Sequence, residues 1–311
     1  MGVRFEHAST LGTEGHTKKE SSTQEKETCV TTIQGESNLR VEEKNHPLPS
    51  QSLRRLSWGK QSQPPLPMRS LQDERFVMLP DGGRYKGDWE HGLKQGAGTL
   101  IHVDGSVYTG DFRQDTAEGY GHLMHPNGDQ YEGEFKENKP HGKGEFSGVD
   151  GSKYHGAWVL GKPEGFGTET AVDGSVYTGD FIGGLKQGQG KMIFTTGSFY
   201  EGQWDSDEMK GVGTYQWKNG MIYHGQWDQG EQNGKGVLYM VSKEIYEGNF
   251  TSGKPDGQGT IRFPDGTQLE GHWVNGIQEG PGVFHYPDSH KVRGFWIKGE
   301  YTKKLELQDD N

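Results

Sequence analysis

The sequence predicts an all-β protein: an elongated, single-layer antiparallel sheet of tandem 23-residue β-hairpins that follows a disordered N-terminal arm. Three observations predict this fold. The 311 residues include 51 glycines but only 29% hydrophobic residues, whereas average usage gives about 22 glycines and about 45–50% apolar residues. Aromatic residues nevertheless make up 11% of the chain, which disordered chains do not show. Tyrosine also recurs every 23 residues from Tyr85 to Tyr246, and a fixed period of this length is typical of repeat architectures.

Residues 1–75 differ in composition from the rest of the chain. They contain only two aromatic residues, Phe5 and Trp58, and they are rich in Ser, Thr, Gln and Glu. No hydrophobic period of a strand or a helix persists in them, so we predict a disordered tail. We expect the repeat array to span residues 76–300 and a polar C-terminal cap, with a short helix, to span residues 301–311.

Two short motifs lie in the predicted tail. Arg54-Arg55-Leu56-Ser57 has the two arginines, the spacer and the serine of a basophilic kinase site. Ser57 is therefore a candidate phosphorylation site, whose phosphate would reverse the local charge, although such short motifs also occur by chance. Pro64-Pro65-Leu66-Pro67 favours polyproline II structure, and we interpret it either as a stiff linker or as a ligand for a proline-binding groove.

The repeat keeps a strict register. With the recurring aromatic as position 1, the units begin at residues 85, 108, 131, 154, 177, 200, 223, 246, 269 and 292. Position 3 is Gly and position 5 is Trp or Phe in all ten units, and positions 12 and 14 are Gly in all nine complete units. The rings at positions 1 and 5 form a predicted aromatic column: Tyr85, Trp89, Tyr108, Phe112, Tyr131, Phe135, Tyr154, Trp158, Tyr177, Phe181, Tyr200, Trp204, Tyr223, Trp227, Tyr246, Phe250, Trp273 and Trp296.

Each unit contains two alternating runs separated by turn residues. Positions 1, 3 and 5 alternate with polar positions 2 and 4, and positions 16 and 18 form a second apolar pair, as in Ile261 and Phe263. This period of two is typical of a strand. Positions 20 and 21 are usually Asp-Gly or Asn-Gly, which predicts a two-residue turn with positive φ at both residues. We therefore expect strands at positions 14–19 and at positions 1–5 of the next unit, with the half-unit Phe76–Gly82 supplying the first strand.

The glycines within the strands predict how the rings pack. A glycine weakens a strand unless a neighbour covers the bare backbone. We expect the glycines at positions 3, 12 and 14 to leave room for the rings, so that one sheet layer shields its own hydrogen bonds. Because a one-layer sheet leaves a face open, the aromatic column is also a candidate groove for a partner; the alternative is that the rings only cover their own backbone.

Charge narrows the choice of partners. The chain has a net charge of -11, and from residue 76 onward 34 Asp and Glu residues exceed 22 Lys and Arg residues. This balance argues against a nucleic-acid partner. Acidic residues at positions 2 and 4 predict either a solvated face or a dock for a basic partner. Lysines such as Lys94, Lys139 and Lys186 recur in predicted long turns at positions 9–13, where they would form a basic edge for anionic lipid.

The sequence predicts no enzyme, no cofactor and no metal site. No Ser/His/Asp or carboxylate pair stands out from the repeat background. His122, His125 and Asp129 have the composition of a metal cluster, but we expect the two histidines to lie on opposite faces of their strand. The single cysteine, Cys29, excludes an intramolecular disulfide and favours a reducing compartment, so we expect a cytoplasmic location. We expect neither a transmembrane segment nor a signal peptide.

The repeat pattern resembles the MORN family (membrane occupation and recognition nexus). The segment Tyr131-Glu132-Gly133-Glu134-Phe135, followed by His141-Gly142-Lys143-Gly144-Glu145-Phe146, carries that family's spacing, and the resemblance covers about residues 76–300. The sequence departs from the pattern in several places. Leu269 and Val292 replace the tyrosine at position 1 near the C-terminal end, and Thr116-Ala117-Glu118 occupies a site where the family often has a basic or histidine-containing turn. Ser242-Lys243 replaces Asp-Gly in the seventh unit, and Glu169 occupies apolar position 16 of the fourth unit.

The resemblance implies a binding or spacing module rather than a catalyst. We expect a non-enzymatic scaffold or adaptor that acts as a rigid protein-interaction spacer. Its expected partners are proteins of a cytoskeletal or axonemal assembly, in a cilium or flagellum and similar to a radial spoke. The alternatives are a phospholipid-directed membrane tether, or a regulatory subunit of a lipid kinase or other enzyme encoded elsewhere. A homo-oligomer is also compatible with the pattern.

Overall fold

The computed structural model describes residues 76–305, with side chains to residue 303. The predicted tail of residues 1–75, with Ser57 and the proline motif, lies outside the described residues, as do residues 306–311. Within 76–305 there is no helix, and every strand is antiparallel to its neighbours in the sequence. The fold is therefore a single open antiparallel sheet of 21 consecutive strands, which confirms the predicted fold class.

The strands follow the repeat. They are β1 (Val77–Met78), β2 (Arg84–Glu90), β3 (Leu93–Ile101), β4 (Val107–Arg113), β5 (Thr116–Met124), β6 (Gln130–Lys136), β7 (Lys139–Ser147), β8 (Lys153–Val159), β9 (Lys162–Thr170), β10 (Val176–Ile182), β11 (Leu185–Ile193), β12 (Phe199–Asp205), β13 (Glu208–Gln216), β14 (Ile222–Asp228), β15 (Glu231–Tyr239), β16 (Ile245–Thr251), β17 (Lys254–Arg262), β18 (Gln268–Val274), β19 (Ile277–His285), β20 (Lys291–Ile297) and β21 (Glu300–Leu305).

Seven-residue and nine-residue strands alternate along most of the sheet. Each short strand surrounds positions 1–5, as predicted, and β1 pairs Val77 with Tyr85, which confirms the half-unit as the first strand. Each long strand runs from position 9 to position 17. The predicted long turns at positions 9–13 are therefore wrong, because these residues belong to strands. The sequence missed this extension because the alternation of apolar residues stops at the glycines.

The sheet has two kinds of turn, and the sequence assigned the two-residue geometry to the wrong one. Positions 7 and 8 form the two-residue turn with positive φ at both residues, as at Glu137 (52°) and Asn138 (63°). This geometry matches the twist of an antiparallel pair. At Asn127-Gly128 only the glycine has positive φ (98°), and its N–H donates to the carbonyl oxygen of His125 at 2.9 Å. The Asp-Gly and Asn-Gly turns thus have a three-residue loop that ends in a left-handed glycine, and the prediction of positive φ at both residues is wrong.

Ser242-Lys243 still forms its turn. The N–H of Lys243 donates to the carbonyl oxygen of Met240 at 3.0 Å, and Lys243 adopts a φ of 73°. A lysine therefore occupies the left-handed position that glycine takes in most units, at a cost in backbone strain.

The glycines at positions 3 and 14 leave room for the rings, as expected. Gly133 lies opposite Gly144 in the β6–β7 pair, and a Cβ on either would overlap the Tyr131 side chain. The glycine at position 12 has a different cause. Gly142 has a φ of 66°, and a Cβ there would lie 2.5 Å from the carboxylate of Glu134. It shapes a bulge in the long strand rather than making room for a ring, so that part of the prediction is wrong.

The core is a continuous zipper of rings on one face of the sheet. Each ring at position 5 from Phe112 to Phe250 lies between two tyrosines with edge-to-face geometry. Phe135, for example, has its ring centroid 4.8 Å from that of Tyr108 and 5.1 Å from that of Tyr131. Such pairs contribute about 0.5–1.5 kcal/mol beyond area burial. Because each of these rings contacts the tyrosine of the preceding unit as well as that of its own, the zipper joins the repeats without a second layer over the rings in the described part of the chain.

A hydrogen-bond ladder along the two-residue turns also joins the units. The N–H of position 8 donates to the carbonyl oxygen of position 10 in the preceding unit, as from Asp207 to Lys186 at 3.1 Å. The same bond recurs at all nine unit boundaries from Asp115–Lys94 to Gly299–Gln278. Side chains at position 11 add further bonds, such as Gln187 Oε1 accepting from the Ser206 N–H at 2.8 Å.

The C-terminal end departs from the repeat. Residues 300–305 form β21, so the predicted short helix is wrong over this segment. Lys303 occupies position 12, where earlier units have glycine, and the bulge shrinks to the single residue Thr302. The ring of Tyr301 packs on Trp296 with a centroid distance of 5.2 Å, and it covers Gly294. Tyr301 thus takes over the covering role of the tyrosine that Val292 replaces.

Candidate interaction surfaces

The predicted aromatic column is almost completely buried. Its tyrosines are 0–4% exposed, and its position-5 rings are at most 8% exposed with one exception. That exception is Trp89, which is 41% exposed and packs on Tyr85 alone among the described tyrosines. The rings mainly cover each other and the sheet, so a partner on this face would contact the side chains that flank the rings. A partner groove formed by the rings stays a prediction.

The tyrosine hydroxyls have a role that the sequence analysis missed. Each donates a hydrogen bond to the backbone carbonyl oxygen of position 4 in its own unit, as Tyr131 does to Glu134 at 3.0 Å. The bulge removes position 4 from the regular pairing of the two strands. All eight tyrosine units make this bond, at 2.9–3.3 Å. The hydroxyl therefore explains why position 1 is Tyr rather than Phe.

Burial keeps these tyrosines neutral. It raises the pKa of Tyr85 from 10.0 to about 12, and the nearby carboxylates of Asp88 and Asp115 add to the shift. Burial likewise raises the pKa of Tyr154 to about 12. The pKa values of the other six tyrosines of the column are also raised, with burial as the main cause.

The acidic residues at position 4 are partly structural. The Glu134 Oε1 atom accepts a hydrogen bond from the backbone N–H of Lys143 at 3.0 Å. Gln203 makes the equivalent bond to Val212 at 2.7 Å. These oxygens satisfy a position-13 N–H that the bulge removes from the strand ladder. In these units the side chain at position 4 therefore supplies an acceptor, which is a carboxylate oxygen in one and an amide oxygen in the other.

The acidic residues at position 2 have cross-strand partners. Glu201 binds Lys191 at 3.0 Å, and Glu247 binds Arg262 at 3.3 Å. These carboxylates remain more than half exposed, and the same face exposes the ring of Phe166. A basic partner on this face stays a prediction, with less free acidic charge than the sequence alone indicates.

The predicted basic edge is broken by lysines that turn onto the ring face. Lys94 is only 13% exposed and lies 3.1 Å from Asp115. Lys186 is 15% exposed, forms an ion pair with Glu169, and lies 5.4 Å from the centre of the Tyr177 ring. This pair explains why Glu169 is tolerated at an apolar position. Among the described residues, the lysines at positions 9–13 therefore form no uniform basic edge.

The described residues contain no cluster of three or more metal-binding side chains. The Nε2 atom of His122 lies 3.3 Å from Gln130 Oε1, and His125 lies in the turn that follows β5. The described part of the chain also contains no helix that could span a membrane.

An apolar stripe at position 18 occurs only in the C-terminal half of the array. The residues there are Phe194, Trp217, Met240, Phe263 and Tyr286, whereas the second to fifth hairpins have His102, His125, Gly148 and Ala171. The stripe ends in an open cavity of about 650 Å³. We call this cavity the C-terminal pocket; its apolar walls are Phe263, Leu269, Phe284, Tyr286, Val292 and Tyr301, and Asp265 lies at its rim. The sequence analysis missed the pocket, although the departures at Leu269 and Val292 were its signal.

Comparison with known proteins gives one strong match. The model of the MORN repeat matches nine consecutive segments, residues 85–107, 108–130, 131–153, 154–176, 177–199, 200–222, 223–242, 246–268 and 270–291. The unit that begins at residue 292 is not among them. In this unit Val292 and Lys303 replace the usual Tyr and Gly. No curated protein sequence matches the chain.

The solved structures that are similar match only weakly. A TCP10 domain of Danio rerio CPAP in complex with a peptide of STIL has 13% identity and a TM-score of 0.42, over 75% of this chain and 99% of that chain. A TCP domain of Drosophila melanogaster SAS-4 in complex with a proline-rich motif of Ana2 has 12% identity and a TM-score of 0.32, over 71% and 100%. These scores carry no argument about function. The nine matched repeats span most of the described residues, and the chain belongs to the MORN repeat family.

Proposed function

We propose that this chain is a non-enzymatic scaffold or adaptor, which acts as a rigid protein-interaction spacer in a cytoskeletal, ciliary or flagellar assembly. MORN repeats indicate a repeat-based scaffold for protein interaction or membrane association. The spacer role is supported by a ring zipper that continues from Tyr85 to Trp273 without a break. Partners bound at different units would therefore be held at defined separations.

The rigid-spacer part is tested by a distance measurement. Spin labels would be attached at Gln114→Cys and Ser206→Cys in a Cys29→Ser background. These residues lie in turns eight strands apart, so the sheet predicts a separation of about 38 Å before correction for curvature. A narrow distance distribution supports the proposal, and a broad one overturns it. Labels at Gln114→Cys and Leu160→Cys, four strands apart, give the matched short distance.

The assembly is tested by proximity labelling of the tagged full-length chain in ciliated cells. We expect axonemal or cytoskeletal neighbours to be enriched over those of an unrelated acidic protein with the same tag. A neighbour set without such proteins would remove the cytoskeletal part of the proposal. Enrichment of a single enzyme with which the chain co-purifies would favour the regulatory-subunit alternative instead.

Membrane tethering is the second alternative, and vesicle flotation separates it from the scaffold role. The broken lysine edge and the acidic balance predict no flotation with phosphoinositide vesicles at physiological salt. Flotation that increases with the phosphoinositide fraction would favour the tether.

A further inference from the structure

The C-terminal pocket arises where the repeat loses its tyrosines. Leu269 and Val292 occupy position 1, where the eight preceding units have Tyr. Leu269 is fully buried, whereas Val292 is only half-buried. The rings of Phe284 and Tyr286 flank this gap, and the ring of Tyr301 from β21 closes its far side. The result is a concave apolar site within the size range of ligand pockets.

The polar groups at the pocket favour a bound segment whose backbone carbonyl oxygens are free to accept hydrogen bonds. The hydroxyls of Tyr286 and Tyr301 make no hydrogen bond within residues 76–303, so both are available as donors. A polyproline II segment has no internal hydrogen bonds and exposes its carbonyl oxygens. Grooves lined by aromatic rings bind such segments because the rings pack on the proline faces. Asp265, at the exposed rim, adds a negative charge.

We propose that the C-terminal pocket binds residues 64–69 of a second copy of this chain. That segment reads Pro-Pro-Leu-Pro-Met-Arg. Its three prolines favour the polyproline II conformation that the pocket suits. Arg69 follows the last proline by two residues, which is close enough to reach Asp265 at the rim.

The tail is too short for residues 64–69 to reach the pocket of their own molecule, so the segment that binds there belongs to a second copy. Phe76, where the described array begins, is the ninth residue after Pro67, and this stretch spans about 30 Å when fully extended. The pocket begins at β17, sixteen strands after β1, which is about 75 Å along the sheet. The motif therefore meets the pocket of another molecule, end to end. Such a head-to-tail contact uses two different surfaces and generates open chains of molecules.

The proposal is tested by sedimentation velocity of the full-length chain over a wide range of concentrations. We expect the average mass to rise with concentration for the native chain. Replacing Pro64, Pro65 and Pro67 together by Ala should abolish that rise, whereas the matched change of Pro47 and Pro49 should not. A synthetic peptide of residues 60–72 should compete and return the native chain to monomer.

Variants of the residues that line the pocket test the other half of the proposed contact. Because Tyr301 already covers Gly294, the ring of a Val292→Tyr variant would lie in the pocket instead, so this variant should abolish association. If that variant fails to fold, Tyr301→Phe removes one hydroxyl donor and should still weaken association. Asp265→Asn should weaken association about two- to fivefold, as expected for one exposed ion pair.

Three outcomes would overturn the proposal. The first is a native chain that stays monomeric at every concentration. The second is association that survives the proline changes. The third is association that the peptide of residues 60–72 does not reduce.

Discussion

The hydroxyl of Tyr200 donates a hydrogen bond to the backbone carbonyl oxygen of Gln203 at 2.9 Å, and the ring covers the bare backbone of Gly202. Gln203 lies at the bulge, where the pairing of β12 with β13 shifts register. The tyrosine therefore joins two features of the unit, because its ring fills the space left by glycine and its hydroxyl satisfies the carbonyl that the bulge removes.

Removing this hydroxyl should lower the free energy of unfolding. Tyr200→Phe keeps the ring but leaves the Gln203 carbonyl without its partner, at a cost of about 1–2 kcal/mol. Tyr239→Phe is the matched control, because Tyr239 is 44% exposed and should change by less than about 0.5 kcal/mol. Urea unfolding monitored by circular dichroism measures both variants. Equal effects would contradict the role of the hydroxyl.

Gly144 and Gly161 are required for different reasons, so replacing each by Ala should change the free energy of unfolding by a different amount. Gly144→Ala places a Cβ against the Tyr131 ring and should destabilise the sheet by about 1–3 kcal/mol through overpacking. Gly161 has a φ of 88° but open space around its Cβ position, so Gly161→Ala should cost about 1 kcal/mol in backbone strain alone. Thermal and urea midpoints test the ranking. A larger loss at Gly161 would show that ring packing does not select the strand glycines.

Relieving the strained turn of the seventh unit should stabilise the protein. Lys243→Gly removes the strain of a lysine at a φ of 73° and should raise the free energy of unfolding by about 1 kcal/mol. Lys218, an exposed turn residue whose φ is not positive, supplies the control. Lys218→Gly should give no gain, because glycine there only increases the freedom of the unfolded chain. A gain at Lys218 as large as that at Lys243 would rule out backbone strain as the cause.

The ion pair of Glu169 with Lys186 should show coupling in a double-mutant cycle. Lys186→Met alone leaves a partly covered carboxylate on the ring face, so it should destabilise the protein. Glu169→Met combined with Lys186→Met should recover most of that loss, because an apolar pair restores the usual character of position 16. The expected coupling is about 1 kcal/mol. Strictly additive changes in the free energy of unfolding would show that the two side chains do not interact.

Alkaline pH should unfold the array through its tyrosines. The folded state raises the pKa of Tyr85 and Tyr154 from 10.0 to about 12, so it holds these protons to higher pH than the unfolded chain does. Their contribution to stability is therefore complete below pH 10 and is lost as the pH rises through about 12. Tyrosinate absorbance should appear together with loss of the far-ultraviolet circular dichroism signal. Ionisation of the whole column near pH 10 with the sheet intact would contradict this.

Much of the fold could be predicted because the repeat is a local pattern. The spacing from Tyr85 to Tyr108 and the alternation around each ring are visible without knowledge of any contact. The pairing of strands neighbouring in sequence follows from them, as β1 with β2 shows. The errors lie where two strands of unequal length must pair. The bulge at Gly142 and the left-handed turn at Glu137-Asn138 solve that mismatch, and the spacing of the rings from which the hairpins are predicted shows neither of them.

The candidate sites were less predictable for the same reason. Lys186 belongs to a row of lysines that predicts a basic edge, and Glu169 lies at a position that is usually apolar. Neither pattern predicts that the two side chains form an ion pair. The C-terminal pocket depends on Tyr301, which comes from a segment whose composition predicted a helix. Both arise only when a side chain from one strand meets its neighbours across the sheet.

The sequence by itself determined the period, the order of the hairpins and the membership of the ring column, because each of these depends on residue type at a fixed spacing. Only the tertiary structure decided which turn takes two left-handed residues, which backbone groups the bulge leaves for Tyr and Glu side chains, and where the column opens into a pocket. The physical reason is strand register. Removing one position from the regular pairing changes which groups face each other across the sheet, and the alternation of apolar and polar residues does not show that shift.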